Sequence, residues 1–461
     1  MMIFRKTKIY FFFFYLVFFI FWLSIGSTPS HLINFNSNIK EIVNFFLIYI
    51  PLLISILILI PLIVKNIINN IKYKNLYKLH SLFIFFYLFQ LIGLIFNINL
   101  DFNFANSYLA VLGLGFTSLI IFAEEFNDKR IFKNFVYISI AVLLALSLIL
   151  ILSKTDTFLF TSDKYFYAYA SPNEKFVHQE MPRVTGFSRT LAILVLFFIC
   201  FIIWKLKSNF FITVVSILSF IYSFLIYGMQ SRGTILCFVI VFLILIFFSK
   251  SLNFRFKVIF LLFFLLIPAV TYEAFLFLKK NKPDLILSLS LKESTNETKE
   301  LISDRATDNR IFSSKQTATG RTLLWKEVIE NYDLKKIFGY GPQADRFLIK
   351  SDKGTWLGSN SSNGMVYAFA SGGYFCLLIM FVIYIRGAYF LFKLFFVDKI
   401  FSHNNNIELK ISSLFFIFFL IRSIFENSFA LFSTDFILTI ISIAIIENYF
   451  NKKSKKLISN S

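Results

Sequence analysis

Acidic residues are scarce in this chain of 461 residues: 26 Asp and Glu stand against 46 Lys and Arg, for a formal charge of +20. Cysteine and histidine are scarcer still, at 3 and 4. The histidines (His31, His80, His178, His403) are scattered, and no cysteines stand at ligand spacing, so a protein-built metal site is not expected. Cys200, Cys237 and Cys376 all fall inside apolar runs, which marks them as packing residues rather than disulfide partners. No sequence repeat of fixed period is present, which sets solenoid architectures aside.

Apolar residues are what the chain has instead. They make up 57% of it, with a mean hydropathy of +0.72, more than a soluble domain keeps from water. The composition therefore predicts an all-α polytopic membrane protein. The 66 Phe accompany abundant Ile, Asn and Lys, as AT-rich coding produces, and read as lipid-facing filler.

Runs near the length that a hydrocarbon core of ~30 Å demands occur at Ile9–Ile25, Ile42–Val64, Leu82–Phe96, Ser107–Phe122, Phe135–Leu152 and Leu191–Trp204. They continue at Phe211–Tyr227, Ile235–Phe248, Val258–Leu278, Val366–Ile385, Ile411–Phe425 and Phe436–Ile446. The expectation is about twelve transmembrane helices. Basic connections (Arg5–Lys8, Lys65–Lys78, Lys129–Lys133, Lys205–Lys207, Lys250–Lys257, Arg386–Lys410, Lys452–Lys456) alternate with Lys-poor turns or long polar segments. By the positive-inside rule this places both termini in the cytoplasm. The first run is long and lacks an Ala-x-Ala-like exit, so it reads as a retained helix and not a cleaved signal. The surplus positive charge is anchoring charge beside anionic headgroups, and no nucleic-acid partner is implied.

Four regions follow: N-terminal transmembrane helices (1–152), an outer loop with the central helices (153–278), one large outer loop (279–365), and the C-terminal helices with a cytoplasmic tail (366–461). In the large loop, 291–318 is polar and reads as a weakly ordered cover. Arg321–Tyr332 reads as an amphipathic helix, with Leu324 and Val328 on one face, Trp325 at its margin, and Lys326, Glu327 and Glu330 opposite. Gly339, Gly341 and Pro342 break it. The helix is expected along the membrane surface, with Trp325 and Trp356 at headgroup depth.

Every motif with chemical character falls on the outer face, which excludes direct use of cytoplasmic nucleotides. Arg232 lies in a short connection, Gln230-Ser231-Arg232-Gly233, near the membrane boundary; it reads as an anion contact, against the alternative of a snorkelling turn arginine. Arg183 and Arg189 bracket Val184–Ser188 just before a span, where outer loops normally shed positive charge. Arg321 opens the amphipathic helix, where free N–H groups and the dipole already favour anions. Arginine adds bidentate recognition of phosphate oxygens. His178, Glu180 and Glu426 are the outward-facing candidates for a general base. Their ordinary readings are a loop histidine, a solvated charge and an intrahelical partner of Arg422. The Phe338–Pro342 segment does not follow a strand and lacks a third glycine, so a nucleotide loop is rejected.

Arg183-Val-Thr-Gly186-Phe, Ser231-Arg232-Gly233, Gly320-Arg321 with Trp325, Gly339-Tyr340-Gly341-Pro342, and Ser362-Asn363 followed by Gly372-Gly373 together resemble the O-antigen ligase and polymerase family of bacterial membrane glycosyltransferases. The resemblance implies an inner-membrane enzyme with its active face in the periplasm, using undecaprenyl-diphosphate-linked glycan as donor without cofactor or metal. Arg232 and Arg321 would hold the diphosphate with Arg183 assisting, and Arg189, Gly339, Gly341 and Asn363 would line the substrate. A chain-length regulator would be a further partner. Ser362 stands where the ligases of this family carry a histidine, which favours the polymerase branch over the ligase. A lipid-linked glycan flippase is the rival from another class, but it would place ionisable groups at mid-membrane depth, and the predicted helix centres are nearly uncharged.

Overall fold

The computed structural model describes residues 79–97, isolated positions between 137 and 148, 184–281, 319–349 and 361–459, less a few positions within those ranges. Among these residues there are helices and turns and no strands. The helices are α1 (Leu79–Phe96), α2 (Val184–Trp204), α3 (Asn209–Gly228) and α4 (Arg232–Phe248). Then α5 (Phe254–Leu261) passes through a π turn (Leu262–Leu266) into α6 (Ile267–Asn281). The segment after α6 contributes α7 (Thr319–Glu330) and α8 (Asp345–Leu348), followed by α9 (Gly364–Phe392), α10 (Ile400–His403), α11 (Ile407–Phe425) and α12 (Thr434–Ser459).

Asn209–Gly228, Phe254–Phe275 and Gly364–Val397 are long and apolar enough to cross a membrane, and Ser81–Phe96, Ser188–Trp204 and Arg232–Phe248 are shorter apolar helices. The expected spans Ile9–Ile25, Ile42–Val64 and Ser107–Phe122 lie outside the described residues, as does most of Phe135–Leu152. Where comparison is open, the helices begin several residues before the apolar windows. Helix α2 starts at Val184, not Leu191, because its opening turn uses Thr185, Gly186, Ser188 and Arg189, which an apolar window leaves out. Helix α12 runs to Ser459, so the basic tail Lys452–Lys456 is helical, since lysine is a good helix former once the helix leaves the membrane.

Packing pairs α1 with α9 and α12, α2 with α3, α4 and α11, and α11 with α12 and α4. Apolar burial drives little helix association in lipid, where small and polar residues permit close approach. The buried faces carry Ser188, Thr190, Ser219, Ser223, Ser412, Ser413, Ser423 and Ser442. Ser219 donates to Val215 O (2.7 Å) and Ser413 to Leu409 O (2.7 Å), one turn back, so the burial of those two hydroxyls leaves no donor wanting. The expectation that Phe is lipid-facing filler holds for part of the set only. Phe83, Phe86, Phe238 and Phe242 are among the largest fully buried side chains, whereas Phe247, Phe254 and Phe381 are exposed.

Helix α9 is two helices. A straight helix would put Gly364 about 24 Å from Met380 at about 1.5 Å per residue. Yet a Cβ on Gly364 would stand 2.8 Å from Met380 Cε and 3.3 Å from the Tyr384 hydroxyl. The chain folds back at Gly372 (φ −131°, ψ 16°) and Gly373 (φ 64°, ψ −153°). Residues 364–371 thus form a short arm lying along the longer one. Broken backbone at membrane depth survives only where protein covers it, and both glycines are buried.

Candidate functional site

The break in α9 is covered by the Gly339–Pro342 segment. Tyr340 N–H donates to Ala370 O (3.0 Å), Gly341 N–H to Ser371 O (2.8 Å) and Tyr374 N–H to Ile337 O (3.2 Å). Gly339 (φ 70°) and Gly341 (φ 102°) adopt left-handed backbone. The approach is too close for side chains: a Cβ on Gly373 would meet Ile337 O at 1.9 Å, and one on Gly339 would meet Gly373 N at 2.5 Å. On the far side Asn97 Nδ2 donates to Gly339 O (2.9 Å) and Gly93 O (2.7 Å). Gly339 and Gly341, expected at the substrate, therefore build a clasp that joins α1, the segment after α7 and α9.

The short arm of α9 begins at Asn363, whose Oδ1 accepts from Met365 N (2.8 Å) and Val366 N (3.1 Å) as an N-cap. Its Nδ2 donates to Ile424 O (3.1 Å) near the end of α11. Ser361 ties the same point to α7 and α8: its carbonyl accepts from Trp325 Nε1 (2.6 Å) and its N–H donates to Asp345 Oδ2 (2.7 Å). Ser361 and Asp345 are fully buried. Arg321 stands one turn before Trp325 on α7, so the hydrogen-bond chain from Trp325 through Ser361 and Asn363 to Ile424 brings its helix to the end of α11. The expected amphipathicity of α7 is observed, with Val328 fully buried and Lys326 paired with Glu330 (3.5 Å) on the exposed face. Trp325 is anchored to protein by its indole N–H; Trp356 lies outside the described residues. Tyr332 at the foot of α7 donates its O–H to Lys336 O (2.5 Å). Burial, with Tyr340 and Tyr374 adding to it, pushes its phenol well above the usual tyrosine range.

Beside Ile424 lies the strongest charge cluster among the described residues. Arg189 Nε is 2.8 Å from Asp435 Oδ1, and Arg422 Nη1 is ion-paired with Asp435 Oδ2. All three side chains are buried, Asp435 completely. Asp435 opens α12 and Arg422 closes α11, so each charge also opposes the dipole at its own helix end. Arg189 was expected in an outer loop; it lies inside α2, on a turn that the apolar window missed. The Arg422 guanidinium, the ordinary partner considered for Glu426, is ion-paired with Asp435.

Glu426 caps α11, its N–H donating to Arg422 O (2.8 Å), and its carboxylate is within electrostatic reach of Arg189. Helix α4 packs against α2 and α11, the helices that carry Arg189 and Arg422, and half-buried Arg232 stands in its first turn. Arg183, His178 and Glu180 lie outside the described residues, and nothing is described of the Arg321 side chain. Asp435, Asp345 and Ser361 were missed by sequence reading. The one signal for Asp435 was an acid at the opening of an otherwise apolar helix.

The ends of α2, α11 and α12 thus meet at the Arg189–Asp435–Arg422 cluster, and the start of α9 and the helix bearing Arg321 are tied to the end of α11 beside it. Residues 217–381 match the family model described as O-antigen ligase. Over this segment the chain is similar to that family. The match covers a little over a third of the chain and includes Arg232, Arg321, the glycine clasp and Asn363, while Arg189, Arg422, Glu426 and Asp435 flank it. It supports a membrane glycosyltransferase of the O-antigen ligase or polymerase kind, with lipid-linked glycan substrates. No curated protein and no solved structure matches the chain.

Proposed function

We propose that this protein is a surface-polysaccharide polymerase that transfers glycan from an undecaprenyl-diphosphate carrier at the outer face of the bacterial inner membrane. The observation that carries this reading is the match of residues 217–381 to the O-antigen ligase family model, flanked by the buried Arg189–Asp435–Arg422 cluster at converging helix ends. A polyprenyl diphosphate is already a good leaving group. Transfer then needs neutralisation of the departing charge and a positioned acceptor, with neither nucleotide nor metal.

In this reading Arg232 and Arg321 hold the diphosphate, with Arg183 assisting and Arg189 fixed behind them by Asp435. The acceptor hydroxyl attacks the anomeric carbon as the carbon–oxygen bond to phosphate breaks, inverting configuration, and its proton passes to a base. Glu426, half-buried and within electrostatic reach of Arg189, is one candidate for that base, and His178 and Glu180 are the others. Removing one contact to charge that develops in the transition state costs about 10²–10³ in rate.

A ligase reading is favoured by the description of the matching family model; Ser362 at the expected histidine position favours the polymerase. A deletion strain separates them. A single repeat still attached to the lipid A core is expected for the polymerase. Loss of all attached glycan, with lipid-linked polymer accumulating, would make the protein a ligase.

A further inference from the structure

The turn between α7 and the glycine clasp keeps its apolar side chains on the outside. Leu334 and Ile337 are exposed, although the backbone that carries them is well braced. Lys336 N–H donates to Asp333 O (2.9 Å), Gly339 N–H to Lys336 O (3.1 Å) and Lys335 N–H to Asp333 Oδ1 (3.0 Å). The Lys336 ammonium is drawn inward, bonded to Asn97 Oδ1 and lying 4.6 Å from the Tyr340 ring centre. Lys335 is left exposed between the two apolar residues.

These side chains continue an exposed apolar stripe. Phe338 stacks 5.4 Å from Phe375 and 5.7 Å from Phe96, and Ile337 O binds Tyr374 N–H, so the turn caps the start of the long arm of α9. Along that arm Phe375, Leu378, Phe381, Ile385 and Tyr389 are all exposed at helical spacing on a membrane-length helix. Leu334 and Ile337 extend this stripe beyond the helix, and Lys335 adds a cation at the point where acyl chains give way to phosphate headgroups. An apolar face flanked by lysine on a rigid turn is the chemistry of an interfacial contact with anionic lipid.

We propose that the turn 333–338 is a membrane-interface anchor, with Leu334 and Ile337 among the acyl chains and Lys335 against the phosphates of anionic phospholipid. The proposal needs only the membrane placement of α9 and is independent of the transfer reaction. Through the clasp at Gly339 and Gly373 the anchor ties the outer segment to both the bilayer and the break in α9.

The test places a nitroxide at Leu334→Cys, and separately at Ile337→Cys, in the full-length protein in vesicles of phosphatidylethanolamine and phosphatidylglycerol. Cys200, Cys237 and Cys376 are buried and do not compete for label. Lys326→Cys, on the exposed face of α7, is the water-facing reference. Labels at 334 and 337 are expected to collide more with oxygen than with a water-soluble nickel chelate, and the label at 326 the reverse. Adding Lys335→Glu should shift the 334 label toward the aqueous relaxant in these vesicles and leave it unchanged in phosphatidylcholine vesicles. Nickel accessibility at 334 and 337 equal to that at 326 would overturn the anchor. An immobilised label shielded from both relaxants would overturn it too, by showing that protein covers the patch.

Discussion

Asp435 holds Arg189 from α2 and Arg422 from α11 on its two carboxylate oxygens, the Arg189 contact at 2.8 Å. A buried acid shared by two guanidiniums leaves the trio with net positive charge. Taking such charges out of water costs several kcal/mol each unless they are paired, so Asp435 is the residue whose loss should be felt most. Asp435→Asn is expected to destabilise the protein by about 3–5 kcal/mol, the usual cost of stranding a buried charge. Thermal unfolding in detergent would register it. Replacing all three with apolar residues of similar volume (Arg189→Met, Arg422→Met, Asp435→Leu) should recover most of that stability and leave transfer impaired, which separates the fold from the chemistry.

Gly373 meets Ile337 across the glycine clasp, where an added Cβ would stand 1.9 Å from the carbonyl oxygen in left-handed backbone. Gly373→Ala should therefore open the clasp, with strain of at least about 1–3 kcal/mol from the backbone alone and a steric clash in addition. Gly228→Ala, whose nearest contact is Tyr272 at 3.5 Å, should change little. Yields of folded protein by size-exclusion chromatography distinguish the two; equal yields would remove the clasp from the fold's requirements.

Asn363 does two jobs with one amide, capping the short arm of α9 and donating to Ile424 O. Asn363→Asp keeps the cap and loses the donor, whereas Asn363→Ala loses both. Alanine should cost about 0.5–2 kcal/mol for the cap and further for the stranded carbonyl, with aspartate between alanine and wild type. Melting temperatures of the three proteins in one detergent give the order.

Tyr332 has its phenol raised by burial, so the folded state favours the neutral ring. Its stabilising contribution is complete below the unfolded tyrosine value of about 10 and is lost as pH rises from there toward the folded value. Tyr332→Phe should flatten the alkaline fall in stability above about pH 10. Urea titrations across that range read the slope, and an unchanged slope would exclude Tyr332 as its source.

Apolar windows located the cores of α1, α3, α4 and α11 within a few residues, because a continuous lipid-facing run is a strong signal. They lost the opening turns, and with them Arg189 and Asp435, since a buried charge in a helix end looks like a loop residue until its partner on another helix is seen. The glycines Gly339, Gly341, Gly372 and Gly373 stood out as a pattern. That they interlock depends on backbone approach between segments distant in sequence, which no local spacing encodes. Asn363 stood out from the family resemblance, and it links α9 to α11. The link from Trp325 through Ser361 to Asn363 was not legible, because it runs through a backbone carbonyl that any residue could supply.

The most direct measurement is cell-free transfer. Purified protein in phospholipid vesicles, given a synthetic polyprenyl-diphosphate oligosaccharide and no nucleotide sugar, is expected to form longer lipid-linked glycans, and Arg232→Ala to slow this by about 10²–10³. Passage of intact lipid-linked glycan across the bilayer with no new glycosidic bond would contradict the transferase and make the protein a transporter.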